Sequence, residues 1–149
     1  MAIDYHINSE DGLISMRADA GLTLAELHCC GERMMADRAF EPSLPHLIDL
    51  READLPALCA NEQALARTFV QRYNNSVRGS VAVLIDGIST GETLADVYRL
   101  TCSLEQAELF DSYEHALRWL VHKAFAPQAG QPAPPGAIRP SGQQPDPAA

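Results

Sequence analysis

The sequence has little positive charge and no long hydrophobic run. Eleven lysine and arginine residues stand against twenty aspartate and glutamate residues, which gives a formal net charge of −9. Phosphate backbones and anionic lipid surfaces repel so acidic a chain, so we expect no nucleic-acid partner. No window reaches the roughly 18 apolar residues of a membrane span, and the opening Met-Ala-Ile-Asp-Tyr-His lacks the features of a signal peptide. We therefore expect a cytoplasmic protein without a membrane span.

Motifs for metal binding, redox chemistry and nucleophilic catalysis are also absent. No two cysteines form a C-x-x-C pair, and the histidines do not follow a metal-ligand spacing. No Ser/His/Asp or Cys/His order nominates a nucleophile. We therefore expect no metal, no cofactor, no catalytic residue and reduced thiols at all four cysteines, which are Cys29, Cys30, Cys59 and Cys102.

Composition divides the chain into one domain and a tail. A length of 149 residues suits a single domain, and 46% apolar residues are enough to form a core. Residues 127–149 hold seven of the ten prolines and one large aliphatic residue, Ile138. Such a segment buries too little apolar surface to offset its chain entropy. We predict a folded domain over residues 1–126 and a disordered tail over residues 127–149.

Hydrophobic periodicity predicts an α/β fold. Apolar and polar residues alternate over 3–8 and 14–19 on either side of a Gly12 turn, which indicates a hairpin. Short apolar runs at 47–50 and 81–85 predict buried strands, and residues 107–110 predict a short last strand. Helical spacing predicts helices at about 24–37, 57–75 and 92–104, and a fourth that follows a cap at 111–114 and ends near 125. The order ββαβαβαβα predicts a mixed sheet with an N-terminal hairpin, parallel later strands and four helices.

Carboxylates are concentrated where the predicted parallel strands end. Ligands of parallel sheets gather beyond the carboxyl ends of the strands, so polar residues there form a candidate partner-binding rim. This rim comprises Asp49, Arg51, Asp54, Asp86, Ser89 and Thr90. Paired acids at a rim can also act as general acid and base or hold a divalent cation, although helix caps and surface ion pairs are the favoured interpretation. Asp49 lies in an apolar strand and therefore needs a partner, which Arg51 or a following backbone amide can supply.

Three stretches of the sequence resemble a known family. They are L-I-D-L-R-E-A-D-L at 47–55, V-A-V-L-I at 81–85 and A-E-L-F-D-S-Y-E-H-A-L-R-W-L at 107–120. Together they are similar to STAS domains, particularly the bacterial SpoIIAA-like, or STAS/SEC14-domain, proteins. The likeness extends over about residues 2–124. It implies a STAS/SpoIIAA-like fold and a small cytoplasmic regulatory module that binds a protein partner.

The sequence departs from that family at the site of its phosphorylation switch. Anti-sigma-factor antagonists carry a phosphorylatable hydroxyl at the start of the helix after the central strand, whereas residues 54–59 here read Asp-Leu-Pro-Ala-Leu-Cys. We therefore expect a non-enzymatic protein-binding module without that switch, which presents either the rim or the helix at 92–104. The alternatives are a carrier or sensor of a small apolar, lipid-like ligand, and an enzyme that uses the acidic rim; self-association stays open.

Overall fold

Alternation of apolar and polar residues builds the predicted N-terminal hairpin. A computed structural model describes residues 2–59, 63–87, 91–125 and 135–138. In it, β1 (Ile3–Asn8) pairs antiparallel with β2 (Leu13–Ala18). In the connecting turn, Gly12 has a φ of 64°, which glycine adopts without steric cost. The Asn8 side chain accepts hydrogen bonds from the Glu10 and Asp11 amides at 3.1 and 3.2 Å. The hairpin prediction is confirmed.

Three further strands extend the hairpin into a five-stranded mixed sheet. They are β3 (His46–Asp49), β4 (Val81–Leu84) and β5 (Ala107–Phe110), and the spatial order is β1-β2-β3-β4-β5. All pairings after the hairpin are parallel, with Ile48 of β3 opposite Val83 of β4. The mixed sheet and its parallel later strands are therefore confirmed, and the ends of β3 and β4 lie side by side.

The described residues contain five helices rather than the predicted four. They are α1 (Leu24–Met35), α2 (Leu55–Cys59), α3 (Gln63–Ser76), α4 (Gly91–Ser103) and α5 (Tyr113–Phe125). The prediction of one helix over 57–75 is wrong, because two helices occupy that region. Asp54 caps α2 by accepting a hydrogen bond from the Ala57 amide at 3.1 Å. Pro56 fits in the first turn, where its missing amide hydrogen has no intrahelical partner to lose.

The sheet separates two apolar clusters. On one face, side chains of α1, α3 and α4 pack on the strands in a main cluster that includes Met16, Ile48 and Val83. On the other face, α5 packs against Leu47, Leu84 and Phe110 in a second cluster, mainly through Ala116, Trp119 and Leu120. Among the described residues, no helix has the length and hydropathy that a bilayer crossing requires.

A short part of the predicted tail lies against the sheet. Residues 135–138 are described, and Ala137 forms an isolated antiparallel bridge with Phe110. The Ile138 amide donates a hydrogen bond to the Leu109 carbonyl at 2.6 Å. This segment therefore follows the outer edge of β5. The other residues of the predicted tail, 127–134 and 139–149, lie outside the described residues.

Candidate functional site

An ion pair lies at the centre of the predicted rim. Arg51 donates from Nε to Asp49 Oδ1 at 3.0 Å and from Nη2 to Oδ2 at 2.8 Å, and its backbone amide donates to Oδ1 at 3.1 Å. Burial raises the pKa of Asp49, but the hydrogen bonds from Arg51 outweigh it and hold this pKa below its ordinary value. The expectation that Asp49 needs a partner is confirmed, and both of the predicted donors supply it.

Two more residues of the rim, Asp54 and Asp86, lie in the described part of the chain. Asp54 caps α2, and Asp86 is exposed just after β4. The Arg51 guanidinium also lies over the Tyr113 ring, 5.8 Å from its centroid, and so connects the rim to α5. Ser89 and Thr90 lie outside the described residues. Three of the described rim charges, those of Asp49, Arg51 and Asp54, therefore form an ion pair and a helix cap, as the favoured interpretation of this edge proposed.

No metal centre emerges from the part of the chain that the structure describes. No group of three or more His, Cys, Asp or Glu side chains there is placed to hold an ion. Cys29, Cys30 and Cys102 are free thiols, and burial raises the pKa of Cys30. The side chain of Cys59 lies outside the described residues. Arg33 favours the Cys30 thiolate, but burial outweighs this effect, so the location of Cys30 indicates packing rather than nucleophilic chemistry.

A groove of about 740 Å³ lies between α3 and α4 and does not involve the rim. Its floor is apolar and comes from four helices: Leu24 of α1, Leu58 of α2, Val70 of α3 and Leu100 of α4. An apolar void of about 30 Å³ beneath it shares Leu58 and Leu100 with that floor, so the groove rests on the main cluster. The polar residues of its walls are Arg67, Gln71, Asn74, Asn75, Asp96, Arg99, Ser103 and Glu105.

One side chain holds the two walls together at their C-terminal ends. Asn74 of α3 donates from Nδ2 to the Ser103 carbonyl at 2.9 Å and accepts from the Glu105 amide at 3.0 Å. Farther along α4, Arg99 pairs with Asp96 at 3.1 Å. Arg67, across the groove on α3, has no ion-pair partner among the described residues. The groove thus has one fixed end, an apolar floor and, at Arg67, a cation whose charge is not paired within the described ranges.

No family model, curated protein or solved structure matches this chain. The resemblance to STAS domains therefore stays a prediction from the sequence, and function has to be inferred from the site itself.

The sequence predicts the helix that forms one wall of the groove, but it does not predict the groove. The predicted helix at 92–104 is α4, whereas Arg67 and Gln71 of α3 had only the spacing of a solvent-facing helix surface. The sequence does contain a signal, which is a set of polar residues spaced along one face of each helix. These residues are at positions 67, 71 and 74 on α3 and at positions 96, 99 and 103 on α4. That spacing does not reveal that the two faces border a common groove, which depends on how the helices pack.

Proposed function

We propose that this protein is a non-enzymatic, cytoplasmic, STAS-like module that binds a partner protein, and that the groove between α3 and α4 receives an amphipathic helix of that partner. The observation that carries the proposal is the apolar floor of Leu24, Leu58, Val70 and Leu100 between polar helical walls. Helix-binding grooves have this composition, because the incoming helix buries apolar side chains at i, i+3 or i+4, and i+7. The rim residues that the structure describes line neither the groove nor the void beneath it, and the rim remains a secondary docking surface.

The charges on the groove walls favour a partner helix that carries an acidic residue. Arg67 is exposed and has no ion-pair partner among the described residues, whereas Arg99 is paired with Asp96. A carboxylate beside the apolar stripe of the partner helix would meet Arg67 and improve complementarity. The expected partner segment is therefore amphipathic, with an apolar stripe for the floor and an acidic residue on its flank.

Charge reversal in the groove provides the test. Full-length Arg67→Glu and Val70→Glu proteins are expected to bind the partner at least tenfold more weakly than the unaltered protein, because one repels the acidic flank and the other charges the floor. The matched control is Arg118→Glu on α5, where the replaced side chain is 71% exposed and far from the groove walls in the fold. Binding is measured by co-purification from a lysate of the source organism, followed by titration of each recovered protein.

The pattern across variants, rather than recovery alone, decides the outcome. A protein that binds the unaltered chain and Arg118→Glu, but not the two groove variants, supports the proposal, provided that cross-links map it to α3 or α4. Equal binding to all variants, or loss of binding only when the rim is altered by Arg51→Glu, would contradict the groove as the docking surface. Thermal unfolding of each variant identifies any that fail to fold.

The volume of the groove also favours a second candidate, a carrier or sensor of a small apolar ligand. Pockets for small molecules typically hold about 300–1,000 Å³, and this groove holds about 740 Å³. Native mass spectrometry of freshly purified protein is expected to show a bound small molecule if the carrier function is correct. That adduct should disappear in Val70→Glu, whereas a bare protein mass in every preparation argues for the protein-binding function.

A further inference from the structure

We infer that the outer edge of β5, together with the first turns of α5, is a binding site for an extended peptide with glycine, a small residue and an aliphatic residue in succession. Residues 135–138 of the chain itself occupy this site in the structure. The site is separate from the groove between α3 and α4 and does not depend on the function proposed for that groove.

The backbone of β5 presents hydrogen-bonding groups to this edge. Successive residues of a strand direct their backbone groups to opposite sides, and the Phe110 carbonyl accepts from the Ile85 amide beside β4 at 2.9 Å. The Leu109 carbonyl consequently points outward, where the Ile138 amide donates to it at 2.6 Å. An edge strand with available backbone groups is a template for strand addition. Here an extended segment is already paired with that template.

The surroundings of the segment select the residue at each of three positions. Gly136 has a φ of 83°, and a Cβ added there would collide with the imidazole ring of His115. Ala137 packs against the second cluster, and Ile138 packs against the main cluster. The first position therefore requires glycine, the second accepts a small side chain, and the third half-buries an aliphatic one.

The chain's own segment is a replaceable occupant. Its attachment to the domain gives it a high effective concentration, so it can fill the edge without making many contacts. The Ala107 carbonyl lies two residues before Leu109 and points to the same side of β5. In the sequence, Pro140 comes two residues after Ile138 and has no amide hydrogen to donate. A partner segment with another residue at that position can form one more hydrogen bond and thereby compete.

A labelled peptide tests whether the edge binds such a segment. The probe has the sequence of residues 133–141 with valine in place of Pro140, and binding to full-length protein is measured by fluorescence anisotropy. Gly136→Val protein is expected to bind the probe at least tenfold more tightly than the unaltered protein, because its own segment no longer fits beside His115. Full-length Ile138→Asp, which loses the aliphatic contact instead, is a second variant with the same expected effect.

A matched probe with valine at the glycine position controls for nonspecific attraction and should not bind. A photoreactive group at the alanine position, which faces the second cluster, should cross-link to β5 or α5. The inference is overturned by equal affinities for the unaltered protein and both variants, by binding of the control probe, or by cross-links that map to α3 and α4. Since both variants alter only the segment that occupies the edge, thermal unfolding curves close to that of the unaltered protein are expected.

Discussion

Replacement of Trp119 by alanine is expected to lower the free energy of unfolding by about 3–5 kcal/mol. Trp119 is 8% exposed and packs against Phe110, with 5.5 Å between the ring centroids. Its side chain belongs to the second cluster, by which α5 attaches to the sheet. Removing the indole leaves a cavity on this face and weakens the contact between α5 and β5. Urea unfolding should be followed by far-UV circular dichroism, because Trp119 is the single tryptophan and its fluorescence is lost.

Val121 provides a control on the same helix. Its side chain is 57% exposed, so Val121→Ala should change the free energy of unfolding by less than about 0.5 kcal/mol. Trp119→Phe keeps an aromatic ring against Phe110 and should fall between the two. A loss below about 1 kcal/mol for Trp119→Ala would mean that α5 contributes little to the stability of the domain, contrary to the contact of Trp119 with Phe110 in the second cluster.

The parts of the fold that depend on local pattern could be predicted from the sequence. In β1, Asp4 and His6 are exposed while Ile3 is buried, so the alternation is visible without knowledge of the neighbouring strands. Asp49 and Arg51 are two residues apart, which made their pairing foreseeable. Buried runs such as Val81–Leu84 were recognisable because parallel strands covered on both faces are continuously apolar.

The parts that depend on distant packing could not be predicted in the same way. Leu58 and Leu65 are seven residues apart, which keeps them in phase over two helical turns, so periodicity alone did not separate α2 from α3. The groove depends on how α3 and α4 pack, and Asn74 fixes that arrangement through contacts about 30 residues away in sequence. Gly136 was part of a predicted disordered tail, and its fit beside His115 is a tertiary feature.

Another distant contact, the buried pair of His46 and Tyr73, should make the stability of the protein depend on pH. His46 is fully buried at the start of β3, and its Nδ1 atom hydrogen-bonds the Tyr73 hydroxyl of α3. Its Nε2 atom has no hydrogen-bond partner within the described part of the chain. Burial lowers the pKa of His46 from 6.5 to about 4, because no nearby group compensates the loss of solvation of an imidazolium ion.

The direction of the pH effect follows from that lowered pKa. Above pH 6.5 the imidazole is neutral in both the folded and the unfolded chain, so its contribution to stability is fully present. As the pH falls from 6.5 towards 4, the unfolded chain takes up a proton that the folded chain does not, and stability is lost. The complete loss amounts to about 3 kcal/mol, of which about 2 kcal/mol should be lost by pH 5.

A double variant separates this contribution from that of the carboxylates. His46→Phe combined with Tyr73→Phe removes the titrating ring and its hydrogen-bond partner together, which avoids a newly unsatisfied buried group. Urea unfolding at pH 7.5 and pH 5.0 should show that the unaltered protein loses about 2 kcal/mol more than the double variant, because carboxylates such as Asp49 contribute equally to both proteins and cancel. Tyr73→Phe alone should retain the pH dependence and cost about 1–3 kcal/mol at pH 7.5, because it leaves the buried imidazole without its partner. Equal losses of stability in the unaltered protein and the double variant would contradict this prediction. They would mean that solvent or a rearranged core stabilises the charged form of His46 in the folded protein, so that His46 does not limit stability in mild acid.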